Sequence, residues 1–575
     1  MTTMSAFVPA GLDASTWGNL EPLFSALLAR PVSSAAEFEA WLLDRSELDA
    51  ACSEARANLY ITMTCRTDDA GASGAWTRYL DDVPPRVKPA GFELDKRQVE
   101  LSARFPLPAA RYGVLERDTR VEVELFRPES VALETELAKL DQKYDEICGA
   151  MSVEFDGATR TLPQMARYQQ DKDRSVREKA WRAVAERRLA EREAIDAIFD
   201  EMVSLRQKVA VNAGFENFRD WSFKAKKRFD YTPAMCFAFH EAVERHVVPF
   251  NRKMDERRRA ALGLDTLRPW DMAVDEHGRP PLRPFEGGQE LVEKTRRVFD
   301  RMDAELGRMF RDLGDNASRG AEGGALLDLD SRKGKASGGY QYMRDRSRRP
   351  FIFMNAAGLH ADVHTMVHEA GHMFHSELCK HDPLVAYRHS PIEFAEVASM
   401  SMELLTMPEW DAYYADASHL ARAKREQLEQ AVAILAWIAQ IDAFQHRLYE
   451  EPGHSRGDRR NTWLALDHRF GRGLDWSGLE DVRTHVWHRQ SHLFGVPFYY
   501  IEYGIAQLGA LGLWLHSLKH GRAAALDLYR GALSLGGSRP LPELFAAAGQ
   551  PFEFGPERVA EIVGAVEAEL AKLGG

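Results

Sequence analysis

Apolar residues recur at three-to-four spacing, among Ala, Glu, Arg, Lys and Leu, over 129–149, 171–212, 233–262, 290–313, 364–380, 392–407, 417–450 and 522–535. That period predicts helices, and it dominates the chain. Strand-like alternation is rarer: "LYITMTC" (59–65), "RVEVELF" (120–126), "SVEFDG" (152–157) and "PFIFMN" (350–355). Two stretches rich in Gly and Pro, 264–288 and 314–342, read as long connections. The pattern predicts a mainly α protein, one large helical body with a small β-sheet beside a His-rich helix. The charged run 178–193 mixes both signs, which suits a solvated helix face.

The His-rich helix carries the chemistry. "TMVHEAGHMFHSEL" (365–378) contains HExxH. Positions i and i+4 share a helix face, so His368 and His372 can point at one ion. Glu369 is rotated by about one hundred degrees from His368. It flanks such an ion without binding it and can take a proton from water held there. The competing reading is a chance match on a histidine-rich helix. Small residues Ala370 and Gly371, and the strand-like "RRPFIFMNAAG" just before, favour a built site: such a strand can offer its backbone to an extended peptide.

The third ligand is open to more than one donor. The HExxHxxGxxH pattern is excluded, because Leu378 stands where its last His belongs. Three histidines of one straight helix strain a single ion, so His375 is expected beside the ligands or in packing. Downstream, Pro391 opens a helix on which Glu393, Glu396 and Glu403 share one side. Spacing alone does not choose between Glu393 and Glu396.

Composition removes several alternatives. A net charge of −12 argues against nucleic-acid binding. Five scattered cysteines without a CxxC pair suggest neither a disulfide framework nor a cysteine-ligated zinc, and suit a reducing cytosol. The N-terminus lacks the layout of a signal peptide. The most apolar stretches, such as 431–441, are too short to span a bilayer, so the reading is cytoplasmic, with no membrane partner. The "GKAS" at 334–337 is not a phosphate loop, because Ala336 follows Lys335 where Ser or Thr is needed.

Four segments in order, "SRKGKASGGYQ" (331–341), "HEAGHMFHS" (368–376), "FAEVASMSME" (394–403) and "HLFGVPFYYIEYG" (492–504), make the chain similar to the zinc oligopeptidases that include thimet oligopeptidase and, closer in style, oligoendopeptidase F. The resemblance is strong over roughly 330–510 and extends from about 160 to the end. It implies a helical clamshell with the active site in a deep channel, an N-terminal helical region with a few strands at 1–160, and a zinc peptidase catalytic region at 161–575. It implies one Zn2+ per chain on His368, His372 and Glu396, with Glu403 orienting a ligand histidine. His492, Tyr500 and Tyr503 would stabilise the oxyanion, although "FGVPF" lacks the family's extra Tyr, which leaves the role of Tyr499 open. The implied function is metalloendopeptidase cleavage of short, unstructured peptides by water activated at the zinc, with Glu369 as general base. Alternatives are a carboxypeptidase or dipeptidase, for which Arg344, Arg346, Arg348 and Arg349 could hold a free C-terminus, and a non-catalytic peptide-binding protein.

Overall fold

The computed structural model describes residues 7–314 and 326–573. Helices dominate it, accompanied by a two-stranded and a three-stranded sheet. Part of the expected connection at 314–342, residues 315–325, lies outside the described residues. The chain divides into two compact units, each assembled from three separate stretches.

One unit comprises Leu125–Pro281, Glu429–Ile505 and Glu553–Gly575. Its strands β1 (Ser152–Phe155) and β2 (Ala158–Thr161) pair antiparallel across Asp156 and Gly157. Both turn residues have positive φ (53° and 71°), the demand of a tight hairpin that Asp-Gly meets. The period over 171–212 resolves into two helices, Arg174–Ala190 and Arg192–Asn212, broken where the Glu191 N–H turns back to the Arg188 carbonyl. Ile195, Ile198, Phe199, Met202 and Val203 form the buried face of the second helix, with Phe199 set edge-on against Trp487 and Phe494.

The other unit comprises Met1–Glu124, Leu282–Leu428 and Ala506–Phe552. At its centre β3 (Leu327–Asp330), β4 (Tyr340–Arg344) and β5 (Arg349–Ala356) form a sheet of order β3-β5-β4, parallel on one side of β5 and antiparallel on the other. Lys335, in the loop before β4, has a buried side chain, and its ammonium donates to the Asp328 carboxylate (2.9 Å) and to the carbonyls of Asp328, Asp330 and Met354. The lysine of "GKAS" therefore pins the sheet.

Two of the strand-like stretches, 59–65 and 120–126, are helical rather than extended. Residues 59–65 end a long helix, Ala35–Cys65, whose buried positions Ala57, Ile61, Thr64 and Cys65 follow the helical period. Ile61 and Cys65 pack on Phe351 and Phe353 of β5, and Thr64 Oγ1 meets the Tyr340 hydroxyl at 2.6 Å. Tertiary packing outweighs the β preference of "LYITMT". Residues 120–126 likewise lie almost wholly in the helix Ala109–Leu125, where Tyr112, Thr119 and Val121 are the buried face and Glu and Arg between the valines favour helix.

Candidate functional site

The motif helix runs His360–Cys379 and follows β5 after three residues. Asp362 opens it, accepting the backbone N–H groups of Ala357 and Leu359 at 2.8 Å. A second helix, Ile392–Leu405, lies against it. Gly371 sets their separation: a Cβ there would stand 2.5 Å from Ala398 O and Ser399 Cα. Only hydrogen fits, so the two backbones touch.

That contact brings the donors together. His368 Nε2 lies 3.5 Å and His372 Nε2 3.7 Å from Glu396 Oε2, and the three donor atoms lie within 4.8 Å of one another. Tetrahedral bonds of about 2.1 Å would space such donors by about 3.4 Å, so a divalent ion fits the set with little movement. Glu396 Oε2 also accepts from Ser399 Oγ at 2.9 Å. The two imidazoles each keep 21 % of their side chain exposed, so this set opens to solvent.

Electrostatics favour a cation there. Burial opposes charge on His368, yet the hydrogen bond from its Nδ1 to Glu403 Oε1 (2.7 Å), with Glu396 and Glu369 nearby, lifts its pKa to about 10. Burial also opposes charge on Glu403, but His364 (Nε2 to Oε2, 2.7 Å) and His368 hold it down at about 2. Gln427 donates to the same Glu403 oxygen at 3.1 Å. Burial drops His372 to about 4, leaving it a neutral imidazole.

Glu369 stands beside the donors, wedged against β4. Burial pushes its pKa to about 7, with the Glu396 charge adding and the His368 charge opposing. The backbone N–H of Gln341 supports its charged form, while its Oε2 is buried without a hydrogen-bond partner. Gly339, just before β4, lets the chain pass close to the motif helix, since a Cβ there would lie 3.1 Å from Thr365 Cγ2.

The remaining expected residues fall into place one by one. His375 is buried, its Nε2 2.9 Å from Ser390 Oγ and its ring against Phe394, and it is outside the donor set. Glu393 is buried on the same helix as Glu396 and also stands outside it. His364, Ser399 and Gln427 escaped sequence reasoning. His364 lies one turn before His368, a spacing that could have marked it.

His492, Tyr500 and Tyr503 belong to the other unit, where they form one aromatic group: the His492 ring lies 5.1 Å from Tyr500 and 6.0 Å from Tyr503. Tyr499 joins it at 5.7 Å. Phe498 just before them is held at φ 62°, its N–H on Gln445 and its carbonyl on Arg228. The Trp437 indole N–H donates to Gln490 Oε1 at 3.0 Å, so the Gln490 amide nitrogen faces His492 Nδ1 at 2.8 Å. An amide NH2 only donates, hence Nδ1 accepts and Nε2 carries the proton. Burial keeps this ring neutral and keeps the Tyr500 phenol protonated, so both are neutral donors.

Among the described residues no helix is long and apolar enough to cross a membrane.

Known proteins of similar sequence and fold identify the family. A solved structure of PZ peptidase A with an inhibitor superposes with a TM-score of 0.86 at 27 % identity, covering 97 % of each chain. The oligoendopeptidase F of a Lactococcus lactis subsp. cremoris plasmid is 21 % identical over 67 % of this chain and 61 % of its own. An oligoendopeptidase F homolog of Borreliella burgdorferi is 25 % identical over 38 % of this chain and 37 % of its own. The chain thus aligns with less than two thirds of the length of these curated relatives. The model of peptidase family M3 matches residues 167–555, well over half the chain. The chain therefore belongs to peptidase family M3, a family of metallopeptidases.

Proposed function

We propose that the chain is a zinc-dependent endopeptidase of short, unstructured peptides, with His368, His372 and Glu396 as the metal ligands and Glu369 as general base. The observation that carries this reading is the convergence of three acceptor atoms, two of them on partly exposed imidazoles, next to a carboxylate with an unpartnered oxygen. When bound, zinc supplies a Lewis acid that lowers the pKa of water to about 7. Glu369 takes the proton of the attacking water and returns it to the leaving amine. Glu403 fixes the ring of His368 by holding its Nδ1 proton. β4, an edge strand beside Glu369, gives an extended peptide a backbone to lie along. His492 and Tyr500, as neutral donors, suit a developing oxyanion, and Tyr503 shares their group.

The arginines that could anchor a free C-terminus sit at the far end of the β4–β5 hairpin. Arg344 is three residues beyond Gln341, about 10 Å along the strand, and its guanidinium donates to Asn58 Oδ1 at 2.8 Å. Arg346 is tied to the Pro9 carbonyl. The geometry thus supports internal cleavage over carboxypeptidase action.

The test is Glu369→Gln, nearly the same shape without a base. It should keep bound zinc and lose about a hundred- to ten-thousand-fold in turnover of a peptide blocked at both ends. A zinc-loaded variant with wild-type turnover overturns the proposal.

A further inference from the structure

The unit that carries His492 holds another cluster, which the proposed activity does not use. Cys236 and His240 lie four apart on the helix Pro233–Ala242, and Asp442 and His446 four apart on the helix Ala417–Glu450. Each pair shares a helix face, and the two faces meet. The donor atoms of Cys236, Asp442 and His446 lie within 4.8 Å of one another. His240 Nε2 stands 2.9 Å from Asp442 Oδ2, and His446 Nε2 is 3.4 Å from the same oxygen.

The cluster is buried. Cys236 and Asp442 have no exposed surface, and His240 and His446 keep 2 %. Phe237, Phe498 and Phe223 pack their rings 4.8, 5.4 and 5.9 Å from that of His446. Inside this apolar wall, Asp442 Oδ1 and His446 Nδ1 have no hydrogen-bond partner, and His446 Nε2 has only the long 3.4 Å contact to Asp442 Oδ2. Buried polar atoms left in that condition call for another binding partner. The partners that do face Asp442 are two imidazoles, not a lysine or arginine.

We propose that these side chains form a second, closed metal site for a borderline-soft divalent transition ion of the zinc type. Cys236, His446 and Asp442 are its ligands, and His240 orients Asp442 from outside. Thiolate with imidazole and carboxylate is a donor set such an ion selects over magnesium or calcium. The charges also balance, because one thiolate and one carboxylate neutralise a divalent ion in a medium that tolerates no net charge. On binding, the Sγ–H bond of Cys236 breaks as the sulfur–metal bond forms, and the proton leaves to solvent; nothing is oxidised or reduced. Three protein ligands leave a fourth position for one water enclosed with the ion, and burial separates this site from solvent, in contrast to the partly exposed His368 and His372.

The full-length chain, expressed with cobalt replacing zinc in the medium, tests this. Its absorption spectrum should show a thiolate-to-cobalt charge-transfer band in the near ultraviolet, and elemental analysis a second metal equivalent per chain. The donor set of His368, His372 and Glu396 contains no sulfur, so the band reports a cysteine-ligated ion, and the Cys236 variants assign it. It should persist in Glu396→Ala and vanish in Cys236→Ser and Cys236→Ala. A folded wild-type protein without the band, or a band that survives in the Cys236 variants, overturns the inference. Should a Cys236 variant fail to fold, persistence of the band in single Ser variants of Cys52, Cys65, Cys148 and Cys379 assigns it by elimination, and its loss in one of those overturns the inference. The result is independent of whether the chain cuts peptides.

Discussion

Adding one methyl group at Gly371 should cost the chain its metal before it costs its fold. A Cβ there would lie 2.5 Å from Ala398 O and Ser399 Cα and 2.9 Å from Ala398 C, all backbone atoms that no rotamer change can move. Relief to ordinary contact at 3.4 Å requires the two helices to part by about 0.9 Å. A coordination sphere tolerates about 0.2 Å in each bond. The second helix carries Glu396 and Glu403, and the motif helix carries both histidines, so the displacement falls directly on the donor set. Two stability effects oppose each other. Alanine is the better helix former by about 1 kcal/mol, whereas overpacking costs about 1–3 kcal/mol. The net loss in stability is thus at most about 2 kcal/mol, small enough to leave a folded protein.

The expected outcome for Gly371→Ala is a helical protein that loses zinc on dialysis, with affinity down by about ten- to a hundred-fold or more. Elemental analysis after dialysis against a graded chelator measures it, and circular dichroism confirms the fold. Gly113→Ala is the control: its Cβ would meet only Ala109 Cβ at 3.8 Å, so helix propensity acts alone and stability should rise. Gly371→Ala protein with wild-type zinc content and unfolding temperature would refute the idea that this contact positions Glu396.

Other outcomes follow from the same geometry. Glu396→Ala should lose zinc on dialysis, while Glu393→Ala and His375→Ala keep it; equal loss in either of the latter would reassign the ligand. In Gln490→Glu a carboxylate faces His492 Nδ1 and raises the pKa of that ring above its burial-lowered wild-type value. Below the raised value both ring nitrogens carry protons and Nε2 still donates; above it the remaining proton belongs on Nδ1. Peptide hydrolysis should therefore hold near pH 6 and fall as pH passes the new value, a basic limb absent from the wild type, and an unchanged pH profile would remove His492 from the mechanism.

Much of the site is legible in the sequence because it depends on helical spacing. His368 and His372 at i and i+4, Glu369 beside them, and the small pair Ala370–Gly371 all announce a helix that something approaches closely. What approaches was not legible. Glu393 and Glu396 lie three apart on one buried face, and only the crossing at Gly371, Ala398 and Ser399 decides which carboxylate meets the imidazoles. The β-branched and aromatic run at 59–65 misleads because its partner, the face of β5, comes almost three hundred residues later. The Cys236 cluster escapes for the same reason: its two halves are short pairs on helices far apart in sequence, and rules for cysteine ligands look for cysteines close together.

Histidine takes opposite roles in the two units, and in each the group facing Nδ1 decides which. At His368 that group is the carboxylate of Glu403, which only accepts, so the ring places a proton on Nδ1 and turns a bare Nε2 toward Glu396. His372, held neutral by burial, turns its own Nε2 toward the same oxygen. Three acceptor lone pairs then converge, with each imidazole within 3.7 Å of the carboxylate, which is repulsive unless a positive charge stands among them. A proton can serve, and the raised pKa of His368 reflects that; a divalent cation serves all three at once. At His492 the facing group is the amide NH2 of Gln490, which only donates, so Nε2 keeps its proton and presents a donor. A chance HExxH on a surface helix would lack Glu403, His364 and Gln427 behind it, and its histidines would take either tautomer. The acceptor at His368 and the donor at His492 are each fixed by a side chain behind the ring, and those side chains support the proposed metal centre over a spacing coincidence.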